Sequence, residues 1–101
     1  MRLKQHDVYI YGRGEEEVAF FRKHGHEVTV LPGITSALSA SLLAAISAMH
    51  RAVADRVLIC TGTGRNSVAP EPPEYVPSHT VVLLMALHRL AALIHSLVAE
   101  D

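Results

Sequence analysis

Apolar residues follow two different periods along this chain, and the switches between them mark out its elements. Val8 to Tyr11 is short, β-branched and aromatic, and closes on Gly12 and Gly14. That pattern predicts a strand running into a turn. Glu15, Glu16 and Glu17 then open a helix that ends near Arg22, Lys23 and His24. Acidic residues first and basic residues last complement the helix dipole, and Gly25 stands where a glycine commonly ends a helix. Val18 and Phe21, with Phe20 beside them, supply its inward side. Glu27 to Leu31 reads as the next strand, stopped by Pro32 and Gly33. A strand, a helix and a strand in such close succession make a βαβ unit, with parallel strands and a right-handed crossover.

From Ile34 to Met49 the period becomes helical, with Ile34, Leu38, Leu42, Ile46 and Met49 at spacings of three and four. Ala and Ser fill most other positions, so this helix is apolar nearly all round and needs cover on more than one face. Arg56 to Cys60 and Thr80 to Leu87 read as two further strands. Between them, residues 63–79 carry Pro70, Pro72, Pro73 and Pro77, which predicts an irregular loop. Leu90, Leu93, Ile94, Leu97 and Val98 mark one face of a closing helix. The expected fold is therefore α/β: a βαβα unit, then two strands and a C-terminal helix. It should have about four strands, the first two parallel at least, within a single domain over residues 1–101. Leu38, Leu42, Ile46, Leu58, Ile59, Leu83, Leu84, Leu93, Ile94 and Leu97 are its expected core.

Composition narrows the function classes. Half of the 101 residues are hydrophobic, 19% are charged, and the net charge is -1. Nothing in that balance attracts nucleic acid or an anionic membrane, and three Tyr, two Phe and no Trp offer few surfaces for stacking bases. Ile34 to Met49 falls short of the roughly 20 apolar residues of a membrane span. The N-terminus, MRLKQHD, has no apolar signal segment. A cytoplasmic location is expected. Cys60 is the one cysteine, which excludes an internal disulfide, and its apolar setting suits a structural thiol. The seven histidines include the pairs His24 and His26, and His88 and His95, but neither pair has a third ligand in view. No metal site is expected, and no Ser-His-Asp or Cys-His order marks a catalytic residue.

Several segments, taken in order, carry a family resemblance. DVYIYGRG at Asp7 to Gly14 is followed by VLPGITSA at Val30 to Ala37, then by His50-Arg51, CTGTGR at Cys60 to Arg65 and VVLLMALHR at Val81 to Arg89. These resemble the tetrapyrrole methylase family, and within it the uroporphyrinogen-III C-methyltransferases of sirohaem and corrinoid synthesis, the fungal forms especially. The resemblance spans nearly all of the chain but only the middle of such an enzyme. It implies S-adenosylmethionine-dependent methyl transfer to a tetrapyrrole. It also implies cofactor contacts from Gln5, His6, Asp7 and Ile10 in the first turn, Thr35 and Ser36 in the second, and Met85 near the adenosine. In the family, the proline-rich segment links two α/β lobes or lies over the cleft.

Departures from the family pattern fall at the turns. A Gly-Gly-Asp-Pro-like motif becomes Gln5, His6, Asp7 and Val8, placing an imidazole where backbone should approach the cofactor. The family's Gly-Ile-Pro-Val-Thr-His-Arg becomes Ala45, Ile46, Ser47, Ala48, Met49, His50 and Arg51, which removes a helix stop and favours a helix running on toward His50. Thr35 and Ser36 are equally suited to plain helix capping, and Asp7 to a capping carboxylate. The TGTGR stretch lacks phosphate-loop spacing and reads as an ordinary turn. The chain is expected to fold, to bind S-adenosylmethionine weakly or not at all, and not to methylate by itself. A tetrapyrrole substrate is expected only in a complete enzyme. The alternative is a diverged or engineered non-catalytic module whose exposed apolar surfaces are covered in a homodimer.

Overall fold

The computed structural model describes residues 1–68 and 70–99 of the chain. They form two compact units, Met1–Ser39 and Ala40–Asp101. The first contains helix α1, Gly14–Lys23, and the beginning of helix α2, Ser36–Leu43. The second contains the rest of α2, strands β1, Arg56–Thr61, and β2, His79–Leu84, and helix α3, Leu90–Ala99.

Helix α1 begins and ends where its sequence says it should. Glu15, Glu16 and Glu17 occupy the first turn and Arg22 and Lys23 the last. At its end the Gly25 N–H donates to the Arg22 carbonyl (3.0 Å) and the His26 N–H to the Phe21 carbonyl (3.0 Å), with Gly25 at φ 82°. This is a Schellman stop, and the ring of Phe21 meets His26 edge-on across it at 6.1 Å.

Helix α2 is shorter than the apolar period of residues 34–49 suggests. The Ala45 N–H bonds the Leu42 carbonyl at 3.0 Å and the Ile46 N–H bonds the Ser41 carbonyl at 2.8 Å, with Ala45 at φ 59°. The same stop motif is thus built on an alanine. The helix does not run on toward His50; its last carbonyls are taken by the stop instead.

Strands β1 and β2 are parallel, in register from Arg56 opposite His79 to Thr61 opposite Leu84. A parallel pair needs a connection of a dozen or more residues, and the proline-rich segment supplies it. Its described residues are irregular apart from a 3₁₀ turn at Arg65–Ser67. A second 3₁₀ turn, Leu87–Arg89, leads into α3, so β2 ends before the expected Leu87.

Two expected strands are not formed. Residues 8–11 are a series of bends and residues 27–31 carry no regular secondary structure. Among the described residues, the sheet has two strands rather than about four, and its parallel pair is the later one. The reason is physical: a strand exists only with a hydrogen-bonded neighbour, and neither segment has one.

The expected core is also largely uncovered. Leu38, Ile46, Leu58 and Ile94 are exposed, and Leu42 is 75% exposed. Ile59, Leu83, Leu84, Leu93 and Leu97 are half-buried. Only Ala37 and Ala86 are buried apolar residues among those described. Two strands and short helices give each apolar face at most one neighbouring layer, where burial needs a layer packed against it.

Candidate functional site

In the first unit, two turns meet. The Asp7 N–H donates to the Ile34 carbonyl at 2.8 Å, tying the residue 5–8 loop to the turn that precedes α2. The contact requires Gly33: a Cβ there would stand 2.8 Å from the His6 carbonyl oxygen and 3.1 Å from the Asp7 Cα. One oxygen of the Asp7 carboxylate, Oδ1, accepts the N–H groups of Tyr9 (2.9 Å) and Ile10 (3.1 Å). Asp7 therefore does act as a local cap, as its residue type allows, while its Oδ2 takes no hydrogen bond among the described residues.

Across the junction, the Thr35 hydroxyl accepts the Ala37 N–H at 3.2 Å and caps α2. Ser36 is exposed in the first turn of that helix. His6 is exposed, its Nδ1 2.9 Å from the Asp7 carbonyl oxygen, and its backbone is not in the left-handed region. The imidazole alters this loop by its bulk and polarity, not through backbone strain. Gln5 and Ile10 lie on the same loop, so six of the seven candidate residues belong to one pair of turns.

The seventh, Met85, lies in the second unit, just past the carboxyl end of β2. Its φ of 54° is a left-handed conformation that costs a non-glycine residue roughly 1–3 kcal/mol. Neighbouring bonds hold it there. The Thr63 hydroxyl donates to the Met85 carbonyl at 2.9 Å and lies 3.2 Å from His88 Nε2. The Gly62 N–H donates to the Leu84 carbonyl at 2.7 Å. A Cβ on Gly62 would stand 2.5 Å from the Cβ of buried Ala86. Thr61 and Thr63 close the turn, with the Thr63 N–H on the Thr61 hydroxyl at 3.1 Å.

Gly62 and Thr63, read from sequence as an ordinary turn, thus belong with Met85. The available signal was their position directly after a strand, because ligands of parallel α/β sheets bind outside the carboxyl ends of strands.

Elsewhere in the first unit, Glu17 bridges Lys4 Nζ (2.7 Å) and Arg2 Nε (3.0 Å), and Lys4 also donates to the Gly12 carbonyl. The Lys4 side chain is only 12% exposed. Hydrogen bonds from Lys4 and then Arg2 hold the Glu17 carboxyl below its ordinary pKa. Cys60 is a free, half-buried thiol on β1. Among the described residues no group of three His, Cys, Asp or Glu could hold a metal ion. No helix there is long and apolar enough to cross a membrane.

Two features define the class of protein: an α/β chain, and paired turns that expose polar edges beside glycines admitting close backbone approach. The chain belongs to the family described as Tetrapyrrole (Corrin/Porphyrin) Methylases, which it matches over residues 1–101. It is 55% identical over 98 residues to the probable uroporphyrinogen-III C-methyltransferase of Schizosaccharomyces pombe, covering 97% of this chain and 20% of that protein. It is 57% identical over 97 residues to the uroporphyrinogen-III C-methyltransferase of Saccharomyces cerevisiae, covering 96% of this chain and 16% of that one. The crystal structure of the uroporphyrin-III C-methyl transferase from Thermus thermophilus, complexed with S-adenyl homocysteine, superimposes with a TM-score of 0.76 at 32% identity. That match covers 95% of this chain and 42% of the other. The chain therefore spans a fifth or less of the length of these fungal relatives.

Proposed function

We propose that this chain is the cofactor-facing portion of a uroporphyrinogen-III C-methyltransferase, and that by itself it neither binds S-adenosylmethionine tightly nor transfers its methyl group. The observation that carries the reading is the junction of the Asp7 loop with the Gly33–Thr35 turn. It joins, through one 2.8 Å backbone bond, the residues that the family resemblance assigns to the cofactor. A relative solved with S-adenyl homocysteine shares the fold over 95% of the chain, which supports the same reading.

The residues present suit such a ligand in part. The spare Asp7 oxygen can accept from, and the Ser36 hydroxyl can accept from or donate to, polar atoms of a ligand. In the first unit Asp7, Ile10, Thr35 and Ser36 would hold the cofactor, with Gln5 at the loop's edge; the family resemblance assigns Met85, of the second unit, to the cofactor as well. When bound, the cofactor supplies an electrophilic sulfonium methyl. This chain's residues contribute binding and orientation only, and none is assigned to proton transfer or attack. Methyl transfer needs the acceptor carbon held in line at about 3–3.5 Å, which demands an enclosed site. His6 reduces affinity further by filling space beside the loop.

The test is amide chemical-shift mapping with millimolar S-adenosylhomocysteine, paired with an assay of methyl transfer to uroporphyrinogen III. Small shifts confined to residues around Asp7, Ser36 and Met85, with no turnover, are expected. Shifts elsewhere, or turnover by the chain alone, would refute the proposal.

A second reading is a non-catalytic module that self-associates. The exposed Leu38, Leu42 and Ile46 favour it, since a second copy could cover them. A strictly monomeric mass at high micromolar concentration would remove it.

A further inference from the structure

Lys4 is a lysine with little access to water, its side chain only 12% exposed. An ammonium loses hydration when it is enclosed, so lysine is almost never buried unless its charge is paired. Here the pairing is explicit. Lys4 Nζ donates to Glu17 Oε2 at 2.7 Å, and Glu17 Oε1 accepts the Arg2 Nε–H at 3.0 Å. Arg2 is 58% exposed, so water screens its half of the bridge more strongly. The Glu17 carboxyl follows the same order, held below its ordinary pKa first by Lys4 and then by Arg2.

A second Nζ bond goes to the Gly12 carbonyl, and it decides what this lysine does. Gly12 stands between Tyr11 at φ 55° and Arg13 at φ 56°. Two residues with side chains persist in left-handed backbone only where their surroundings hold them there. The turn rests on the backbone of Asp7 and Val8. A Cβ on Gly12 would stand 2.4 Å from the Val8 carbonyl oxygen and 2.8 Å from that of Asp7. The Gly14 N–H donates to the same Val8 oxygen at 3.0 Å. Among the described residues, the Lys4 bond is the one that reaches the backbone of residues 11–13 from outside residues 7–17.

Lys4 also lies just before Gln5, His6 and Asp7 in the chain. One side chain therefore joins the entry of this loop to its far turn, and both to the first turn of α1. The other side of the loop is the candidate site, where Asp7 Oδ1 caps Tyr9 and Ile10 and the Asp7 N–H reaches Ile34. The task suits lysine in particular. Its ammonium is a compact donor that can serve two acceptors at once, whereas arginine spreads the same charge over a planar fork.

We infer that Lys4 is a positioning residue for the Asp7 loop: its ammonium, neutralised by Glu17, fixes the Gly12 carbonyl and so keeps Asp7 and Ile10 where a ligand would meet them. Lys4 touches no ligand itself. Its use toward a cofactor rests on the reading of these turns as cofactor-facing, whereas the brace is a property of the unliganded chain.

The experiment is NMR of the isotopically labelled chain, without and with S-adenosylhomocysteine at one concentration well below saturation. In the unliganded parent, a scalar coupling through the hydrogen bond is expected between Lys4 Nζ and the Gly12 carbonyl carbon. Lys4→Met keeps the stem and loses the charge. It should move the Gly12 carbonyl and the Tyr9 and Ile10 amide resonances, while those of Gly25 and His26, just past α1, stay in place. Below saturation the induced shift is proportional to affinity, which falls with the fraction of chains whose loop is correctly set. The ligand-induced shifts at Asp7 and Ser36 should therefore fall about threefold or more in Lys4→Met and in Glu17→Gln, and recover in part in Lys4→Arg. A lysine that only stabilised the unit would lower the denaturation midpoint and leave the ligand shifts of the folded variants intact; that result would overturn the inference. Absence of the coupling in the parent would overturn it as well, whether or not Lys4→Met folds. If the parent shows no ligand shift, the cofactor reading fails by itself, and the coupling and the unliganded spectra still decide the brace.

Discussion

Ala45→Gly should stabilise this chain, although nothing is added to it. Ala45 sits at φ 59°, in the left-handed region, as the residue just past helix α2. Two hydrogen bonds hold it there: its own N–H to Leu42 at 3.0 Å, and the Ile46 N–H to Ser41 at 2.8 Å. For an alanine the left-handed conformation costs about 1–2 kcal/mol, from the crowding of Cβ against the following carbonyl. Glycine removes that cost but brings a looser unfolded chain, which takes back about 0.4–1 kcal/mol. The net expectation is a gain of about 0.5–1 kcal/mol. In a domain of this size, that corresponds to a rise in Tm of roughly 2–8 °C.

The assay is thermal and urea denaturation followed by circular dichroism, with Ala40→Gly as the control. Ala40 lies inside α2 and has no positive φ, so glycine there should cost about 1 kcal/mol. If Ala45→Gly lowers stability as Ala40→Gly does, the alanine-based stop is not formed and the helix boundary is misplaced.

Three other perturbations test separate parts of the structure. Leu42→Ala should change stability by no more than about 0.5 kcal/mol, because the side chain is 75% exposed, whereas a core leucine would cost about 2–5 kcal/mol; urea midpoints decide between them. Gly62→Val should cost about 1–3 kcal/mol, since its Cβ would meet Ala86 atoms at 2.5 and 2.6 Å, and an unaltered denaturation midpoint would contradict that close approach. Glu17 has a pKa lowered by Lys4 and Arg2, so its contribution is present above the ordinary carboxylate range and is lost as pH falls through the lowered value. Glu17→Gln should therefore be less stable than the parent at neutral pH and converge with it in acid; parallel pH profiles would exclude the linkage.

The elements legible in the sequence are those whose hydrogen bonds are local. Helix α1 was readable from its charges and Gly25, because each of its bonds closes within a few residues. Helix α3 was readable from the spacing of Leu90, Leu93, Ile94 and Leu97. Strand content was readable as composition but not as pairing. Residues 27–31 have the right residues for a strand and no neighbour, whereas β1 and β2 have each other. The core was misjudged for the same reason, since periodicity marks an apolar face without showing what packs against it.

The site divides in the same way. Asp7 and Thr35 were legible by residue type, and both use one oxygen on their own backbone. The tie between Thr63 and Met85 spans two strand ends and leaves no trace in spacing. Nor could the sequence show that Ala45 would hold a turn normally given to glycine, because that depends on bonds satisfied only once α2 stops.

The most direct test is calorimetric titration of the unmodified chain with S-adenosylhomocysteine. Binding no tighter than about millimolar, roughly -4 kcal/mol, is expected. His6→Gly combined with Val8→Pro should tighten it slightly without producing turnover. A micromolar Kd in the unmodified chain would contradict the account, for it would mean that these turns by themselves enclose the cofactor.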